Sequence, residues 1–219
     1  MDCEIISTGS KGNCVVINGK IAVDMGVPFH KILHVYKGLR LVLLTHAHGD
    51  HFRPSTVRRL ARERPTLRFG CCEWLVSGLL ECGVSKGRID VYDLGISVFY
   101  GEGLPVAVEA FPLRHDALNC GYRLHVRFGA QGRVFYATDT NSLDGIEAKG
   151  YDLYMVEANY GEVEILERIR RKQETGEYCH EWGVLENHLS REKAEDWLYK
   201  NMGPGSRYIL LHEHEERSA

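Results

Sequence analysis

The segment Thr45-His46-Ala47-His48-Gly49-Asp50-His51 crowds three imidazoles and a carboxylate into one short stretch. Imidazole nitrogen and carboxylate oxygen suit zinc, manganese or iron. The alternating spacing lets His46 and His48 share one ion, while Asp50 and His51 turn to another side, where a second could sit. The chemistry on offer is therefore that of a metal centre. A two-metal site needs further ligands, brought within about 4 Å by converging loops.

What positions this segment is the apolar run Leu41-Val42-Leu43-Leu44 that feeds into it. Such a run before a polar, glycine-containing stretch reads as a buried parallel strand ending in a loop. Open α/β sheets keep their sites beyond the carboxyl ends of strands. The same grammar recurs three times. His115 follows Phe111-Pro112-Leu113-Arg114, Asp139 follows Val134-Phe135-Tyr136-Ala137-Thr138, and His212 follows Tyr208-Ile209-Leu210-Leu211. Alternation and turn residues predict further strands at 3–6, 14–17, 21–23, 96–100, 106–112, 122–128, 134–137, 153–156 and 208–211. Asn18-Gly19-Lys20 is a hairpin turn. Helical spacing predicts helices at 54–63, 73–80, 163–172 and 191–201, the last with Ser190 as N-cap and Gly203-Pro204 as stop. Strands first, with helices at intervals, suggest two mixed sheets between helices.

A length of 219 residues fits one domain spanning 1–219. No apolar run approaches the ~20 residues of a membrane span. The acidic start Met1-Asp2-Cys3-Glu4 lacks the features of a secretory signal, so a cytoplasmic location and no membrane partner are expected. The seven cysteines have no paired metal spacing and read as reduced, buried thiols. A net charge of −3 argues against binding nucleic acid by overall charge, although bound cations would attract phosphate locally. Two basic runs, 53–68 and 168–172, fall on predicted helices and read as solvated faces. His30, His34, His125, His180 and His214 lack a ligand context, and His30 and His34 are expected at the surface.

Taken with its strand-end partners, His46 to His51 resembles the His-x-His-x-Asp-His signature of metallo-β-lactamase-fold hydrolases. Asp24, in Ala22-Val23-Asp24-Met25-Gly26, looks like the first-motif aspartate of that superfamily. His115 and Asp139 match its third and fourth motifs, and His212 its last ligand. The resemblance implies a four-layer αββα sandwich of two mixed sheets flanked by helices. It also implies two divalent ions, Zn²⁺ first, with Mn²⁺ or Fe²⁺ as alternatives. His46, His48, His115 and Asp139 would hold one, and Asp50, His51, Asp139 and His212 the other, with Asp139 bridging. The nearest likeness is to the WalJ/YycJ-type exonuclease branch, through Ser7-Thr8-Gly9-Ser10-Lys11-Gly12-Asn13, His115-Asp116-Ala117, Glu157-Ala158-Asn159 and Asn187-His188-Leu189-Ser190. The chain departs from that branch at Tyr160 and Asn187, where His and Gly are usual, and in its His212-Glu213-His214 ending.

A water shared by two such cations would titrate near neutrality and give a bridging hydroxide nucleophile. Asp50 would ligate one ion and orient the water. Asp24 would accept the second N–H of a ligand imidazole from outside the ligand sphere. By likeness to ribonuclease Z-type nucleases, His188 would protonate the leaving group with Glu157 as its partner. The alternative, His188 as last ligand with His212 merely adjacent, stays open. Ser10 and Asn13 sit on a glycine-flanked loop whose N–H groups could face a substrate phosphate. The expected activity is a phosphodiesterase, a nuclease of exonuclease kind acting on DNA or RNA. The alternative is a cyclic-nucleotide phosphodiesterase or another small-ester hydrolase. The expected partner is thus a nucleic acid or nucleotide substrate, and a homodimer is the candidate assembly.

Overall fold

A computed structural model describes residues 1–212, so His214, expected to hold no ligand role, lies outside the described residues. Two six-stranded sheets carry the chain in strict order. The first holds β1 (Cys3–Ser7), β2 (Cys14–Ile17), β3 (Ile21–Val23), β4 (Leu41–Leu43), β5 (Arg68–Cys71) and β6 (Ile89–Val91). It is antiparallel as far as β3 and parallel from there. The second holds β7 (Ser97–Tyr100), β8 (Val106–Leu113), β9 (Asn119–Val126), β10 (Gly132–Ala137), β11 (Leu153–Glu157) and β12 (Arg207–Leu211). It is antiparallel up to β10 and parallel beyond it.

Side chains on a strand alternate between faces, so a strand covered on both sides must be apolar throughout. β4 shows this directly: Leu41 and Leu43 join the core between the sheets, while Val42 and the following Leu44 join a second core under helices. The helices on that side are α1 (Pro54–Glu63) and α2 (Val76–Glu81). β10 does the same in the other sheet. Val134 and Tyr136 face inward, and Phe135 and Ala137 meet α5 (Arg191–Asn201). The layers therefore run helix, sheet, sheet, helix, as the resemblance implies. Between β11 and α5 lie α3 (Glu162–Thr175) and α4 (Glu181–Asn187), with a small core of Tyr160, Ile165 and Ile169. Among the described residues, no helix is long and apolar enough to cross a membrane.

Phe135 is fully buried, stacked 5.0 Å from Phe111 and 4.9 Å from Trp197. Phe135→Ala is expected to cost about 3–5 kcal/mol of unfolding free energy, because a rigid sandwich cannot collapse into the space. Chemical denaturation would measure it.

The predicted elements appear close to their expected limits, and Ser190 caps α5 by accepting from the Lys193 N–H at 3.2 Å. Three elements carry no periodic signal. In β5, the position facing inward is Gly70, where a Cβ would collide with the Tyr92 ring, so one face has no side chain to read. β6 has three residues, and its Asp90 pairs with Arg68 of β5. α4 is a short helix of seven residues that carries Gly183 in its first turn. β9 begins earlier than its alternation suggests, at Asn119, because Gly121 lies flat under Phe111.

Candidate metal centre

β3, β4, β8, β10, β11 and β12 all deliver their carboxyl ends to one edge of the sandwich. They bring, respectively, Asp24, the loop from Thr45 to His51, His115, Asp139, Glu157 and His212. Three of these residues leave their strands in the left-handed region, Asp24 at φ 61°, Asp139 at φ 54° and His212 at φ 61°. Non-glycine residues pay for that conformation, and it persists where the surroundings over-determine it. Here it turns each side chain inward across its own strand end.

The loops are stitched together before any side chain acts. Asn13 N–H donates to the Asp50 carbonyl at 2.6 Å, Met25 N–H to His51 at 2.8 Å, and Gly26 N–H to Asn13 at 3.0 Å. The approach is so close that a Cβ on Gly26 would overlap the Asp50 carbonyl. Asn13 adds its amide: Oδ1 accepts from Gly9 N–H at 2.8 Å, and Nδ2 lies 2.8 Å from His51 Nε2. Buried and fully engaged, Asn13 serves the metal loop directly, whereas Ser10 stands exposed at the loop surface.

At one pole, ligand atoms of His46, His48 and His115 lie within 4.8 Å of one another. His115 Nδ1 donates to the Asn187 carbonyl at 3.2 Å, which leaves Nε2 facing His48 Nδ1 at 3.3 Å. Thr45 Oγ1 donates to Asp24 at 2.9 Å and lies 3.0 Å from His46 Nδ1. The Nδ1–H tautomer of His46 follows from that network. His46 Nε2 is then a buried lone pair without a hydrogen-bond partner among the described residues. Burial, with the neighbouring His51 charge, pushes this imidazole down to about 2, so it is neutral. Burial likewise lowers His115.

The other pole is organised by carboxylates. His51 Nδ1 donates to Asp24 Oδ2 at 2.7 Å, both side chains fully buried. Its Nε2 faces Asp139 Oδ2 at 2.9 Å and Asp50 Oδ2 at 3.8 Å. Asp139 turns its second oxygen toward His212 Nδ1 at 3.3 Å and His188 Nδ1 at 3.7 Å. The Thr138 hydroxyl donates to Asp139 at 2.9 Å, and Asn119 Nδ2 holds the Asp139 carbonyl at 2.6 Å. Burial lowers His51, yet Asp139 and Asp24 outweigh it and hold the imidazolium well above its ordinary range. Burial opposes the charge on His212 too, but Asp139 and Glu157 lift it to about 10. Burial raises Asp139, and His51 and His212 nevertheless keep it well below the usual carboxylate range.

These residues fit divalent cations. A buried, unpaired lone pair such as His46 Nε2 costs about 1–3 kcal/mol unless something takes it. Nitrogen and oxygen donors gather in three overlapping clusters, His46 with His48 and His115, His46 with His51 and Asp139, and Asp139 with Glu157, His188 and His212, and such donors are what borderline cations accept. Cation uptake must displace the protons on His51 and His212. Affinity is therefore expected to rise with pH up to about 10 for His212, the sign following from more protons bound in the metal-free state. Calorimetric titration in buffers of different ionisation enthalpy would count the protons, and uptake without release would contradict this electrostatic picture.

A third cluster adjoins the second pole. His188, at the end of α4, donates from Nδ1 to Glu157 Oε1 at 2.6 Å. Glu157 is fully buried, and its other oxygen accepts the Thr140 N–H at 2.8 Å. Burial raises this carboxyl, but His188 and His212 outweigh burial and keep it ionised. His30, His34, His125 and His180 are exposed and lie outside the centre. The sequence sets Thr45 and Gly26 inside the quoted motifs without giving either a role, and it does not mark Asn119 at all. Their roles exist only across long-range contacts.

A family model described as the beta-lactamase superfamily domain matches residues 22–212. Among solved structures, the metallo-beta-lactamase fold protein YhfI from Bacillus subtilis superposes with TM-score 0.69 at 15% identity, over 96% of this chain and 85% of that one. A diphosphatase from the PhnP family gives TM-score 0.60 at 15% identity, with the same coverage of 96% and 85%. A long form RNase Z from yeast gives TM-score 0.65 at 13% identity, over 97% of this chain but 37% of its own length. At such identities the likeness carries the fold alone. No curated protein sequence matches the chain.

Proposed function

The chain belongs to the beta-lactamase superfamily, as a metal-dependent hydrolase of the metallo-β-lactamase fold, and from that premise we propose that it is a phosphodiesterase, a nuclease of exonuclease kind. The observation that carries the reading is the His188–Glu157 pair, bonded at 2.6 Å beside the metal centre. A strained amide needs little help to expel its leaving group. The alkoxide of a phosphodiester needs a proton, and an imidazole held by a buried carboxylate is placed to supply one.

Two divalent cations, Zn²⁺ first and Mn²⁺ or Fe²⁺ next, would be held by His46, His48, His115 and Asp139, and by Asp50, His51, Asp139 and His212. Bound there, they supply Lewis acidity and a water of lowered pKa. The chain's own groups do the rest. Asp24 fixes His51 through Nδ1, so that Nε2 points into the centre. Asp50, half-buried with Oδ2 3.8 Å from His51 Nε2, would orient the attacking water through its free oxygen. His188, with Nδ1 committed to Glu157, presents Nε2 to the leaving oxygen.

The test is a substrate panel with Mn²⁺- or Zn²⁺-loaded protein: 5′-labelled duplex DNA, single-stranded DNA, RNA and cyclic nucleotides. Stepwise shortening of a nucleic acid supports the reading. Turnover of cyclic nucleotides alone would make it a cyclic-nucleotide phosphodiesterase, and turnover of a lactone with no phosphodiester cleaved would overturn it.

A further inference from the structure

Beside His115 opens a cleft of about 460 Å³ whose walls the metal chemistry does not use. Trp74, Leu94, Pro112, Leu113 and Leu118 line it on the apolar side. Leu118 is 69% exposed and Leu94 43% exposed, although larger apolar side chains usually seek burial. Trp74 is held in place, its Nε1 donating to the Thr45 carbonyl at 3.3 Å, so one ring lies between the metal loop and the cleft. Asn119 lines the same cleft, nearly fully buried. Its Nδ2 is spent on the carbonyls of Thr138 and Asp139, and its Oδ1 has no partner among the described residues. At the mouth stands Arg114, exposed, with no side-chain partner among the described residues.

We propose that this cleft is a nucleobase subsite, holding the base of the nucleotide whose phosphate lies at the metal centre. The inference rests on the phosphodiesterase reading and names the part of the substrate that the metals do not see. The occupant is set by chemistry. Apolar walls with an indole face accept a flat ring, since stacking on an aromatic face is favourable for every base. An alkyl chain would fill the leucine walls but leave the indole face without a flat partner, whereas a base stacks on it. The cleft is continuous with His115 and Asp116, so a base placed there is joined to a phosphate at the centre, and Arg114 flanks that phosphate. Arg114 and Asn141 also border a second groove, of about 590 Å³, that carries Lys149 and Lys193.

Calorimetric titration of the metal-loaded full chain decides the matter, comparing a deoxynucleoside 5′-monophosphate with deoxyribose 5-phosphate. The nucleotide is expected to bind about tenfold tighter or more, the difference being the base. Leu118→Ser, at an exposed position, should cut that advantage to about twofold or less while leaving deoxyribose 5-phosphate binding unchanged, and Trp74→Leu should cut the same nucleotide-to-sugar-phosphate ratio. Equal affinities in the unaltered protein, or an advantage that both variants keep, would overturn the subsite. Hydrolysis of bis(4-nitrophenyl) phosphate separates the two readings. If it proceeds while the base adds nothing, the subsite falls alone. If the base adds its tenfold and no phosphodiester is cleaved, the activity reading falls and a nucleotide-binding cleft remains.

Discussion

Asp139→Ala is expected to abolish hydrolysis, lowering kcat by about a thousandfold or more, roughly 4 kcal/mol of barrier. Asp139 belongs to two of the candidate ligand clusters, one with His46 and His51 and one with Glu157, His188 and His212. One oxygen lies 2.9 Å from His51 Nε2 and the other 3.3 Å from His212 Nδ1. Its loss would remove the proposed shared ligand and the counter-charge that orders two imidazoles. Elemental analysis should therefore show loss of metal alongside loss of turnover. Asp139→Asn keeps the shape and one oxygen but not the charge, and is expected to retain more metal than Asp139→Ala while staying nearly inactive. Full metal content and turnover in Asp139→Ala would mean the centre lies elsewhere.

The second large effect belongs to His188→Ala, and its signature is selectivity. With an alkoxide leaving group, as in a nucleic acid, kcat should fall by about 10²–10⁴-fold, the usual worth of a placed general acid. With 4-nitrophenolate, a leaving group that departs without a proton, the fall should be under about tenfold. Metal content should not change. Glu157→Gln should lie between, because it keeps a hydrogen-bond acceptor for His188 Nδ1 but removes the carboxylate charge beside it. If His188→Ala instead releases metal and hits both substrates equally, His188 is the last ligand and His212 its neighbour.

The metal loop was legible because an apolar strand that ends abruptly in imidazoles and carboxylates has few other uses, and His115, Asp139 and His212 repeat that grammar at three more strand ends. The long helices α1 and α5 were legible through Pro54 and Ser190 at their starts. His188 and Glu157 were found only through likeness to other nucleases, since a histidine before a helix and a glutamate after a strand are individually ordinary. Trp74 gave no sign at all. Its importance comes from sitting between two cores and over the Thr45 carbonyl, a contact 29 positions away in the chain. The same holds for Gly70 and Gly26, where the missing Cβ is what matters and a sequence shows only a small residue.

The backbone bonds from Asn13, Met25 and Gly26 into the Asp50–His51 segment have a thermodynamic corollary. Residues that come from the first edge of the first sheet are fastened to the donors that would grip the ions. Opening this edge and releasing the cations then become one cooperative event, and each bound ion stabilises a part of the fold it never touches. Amide hydrogen exchange in the amino-terminal hairpin is therefore expected to slow when cations are bound.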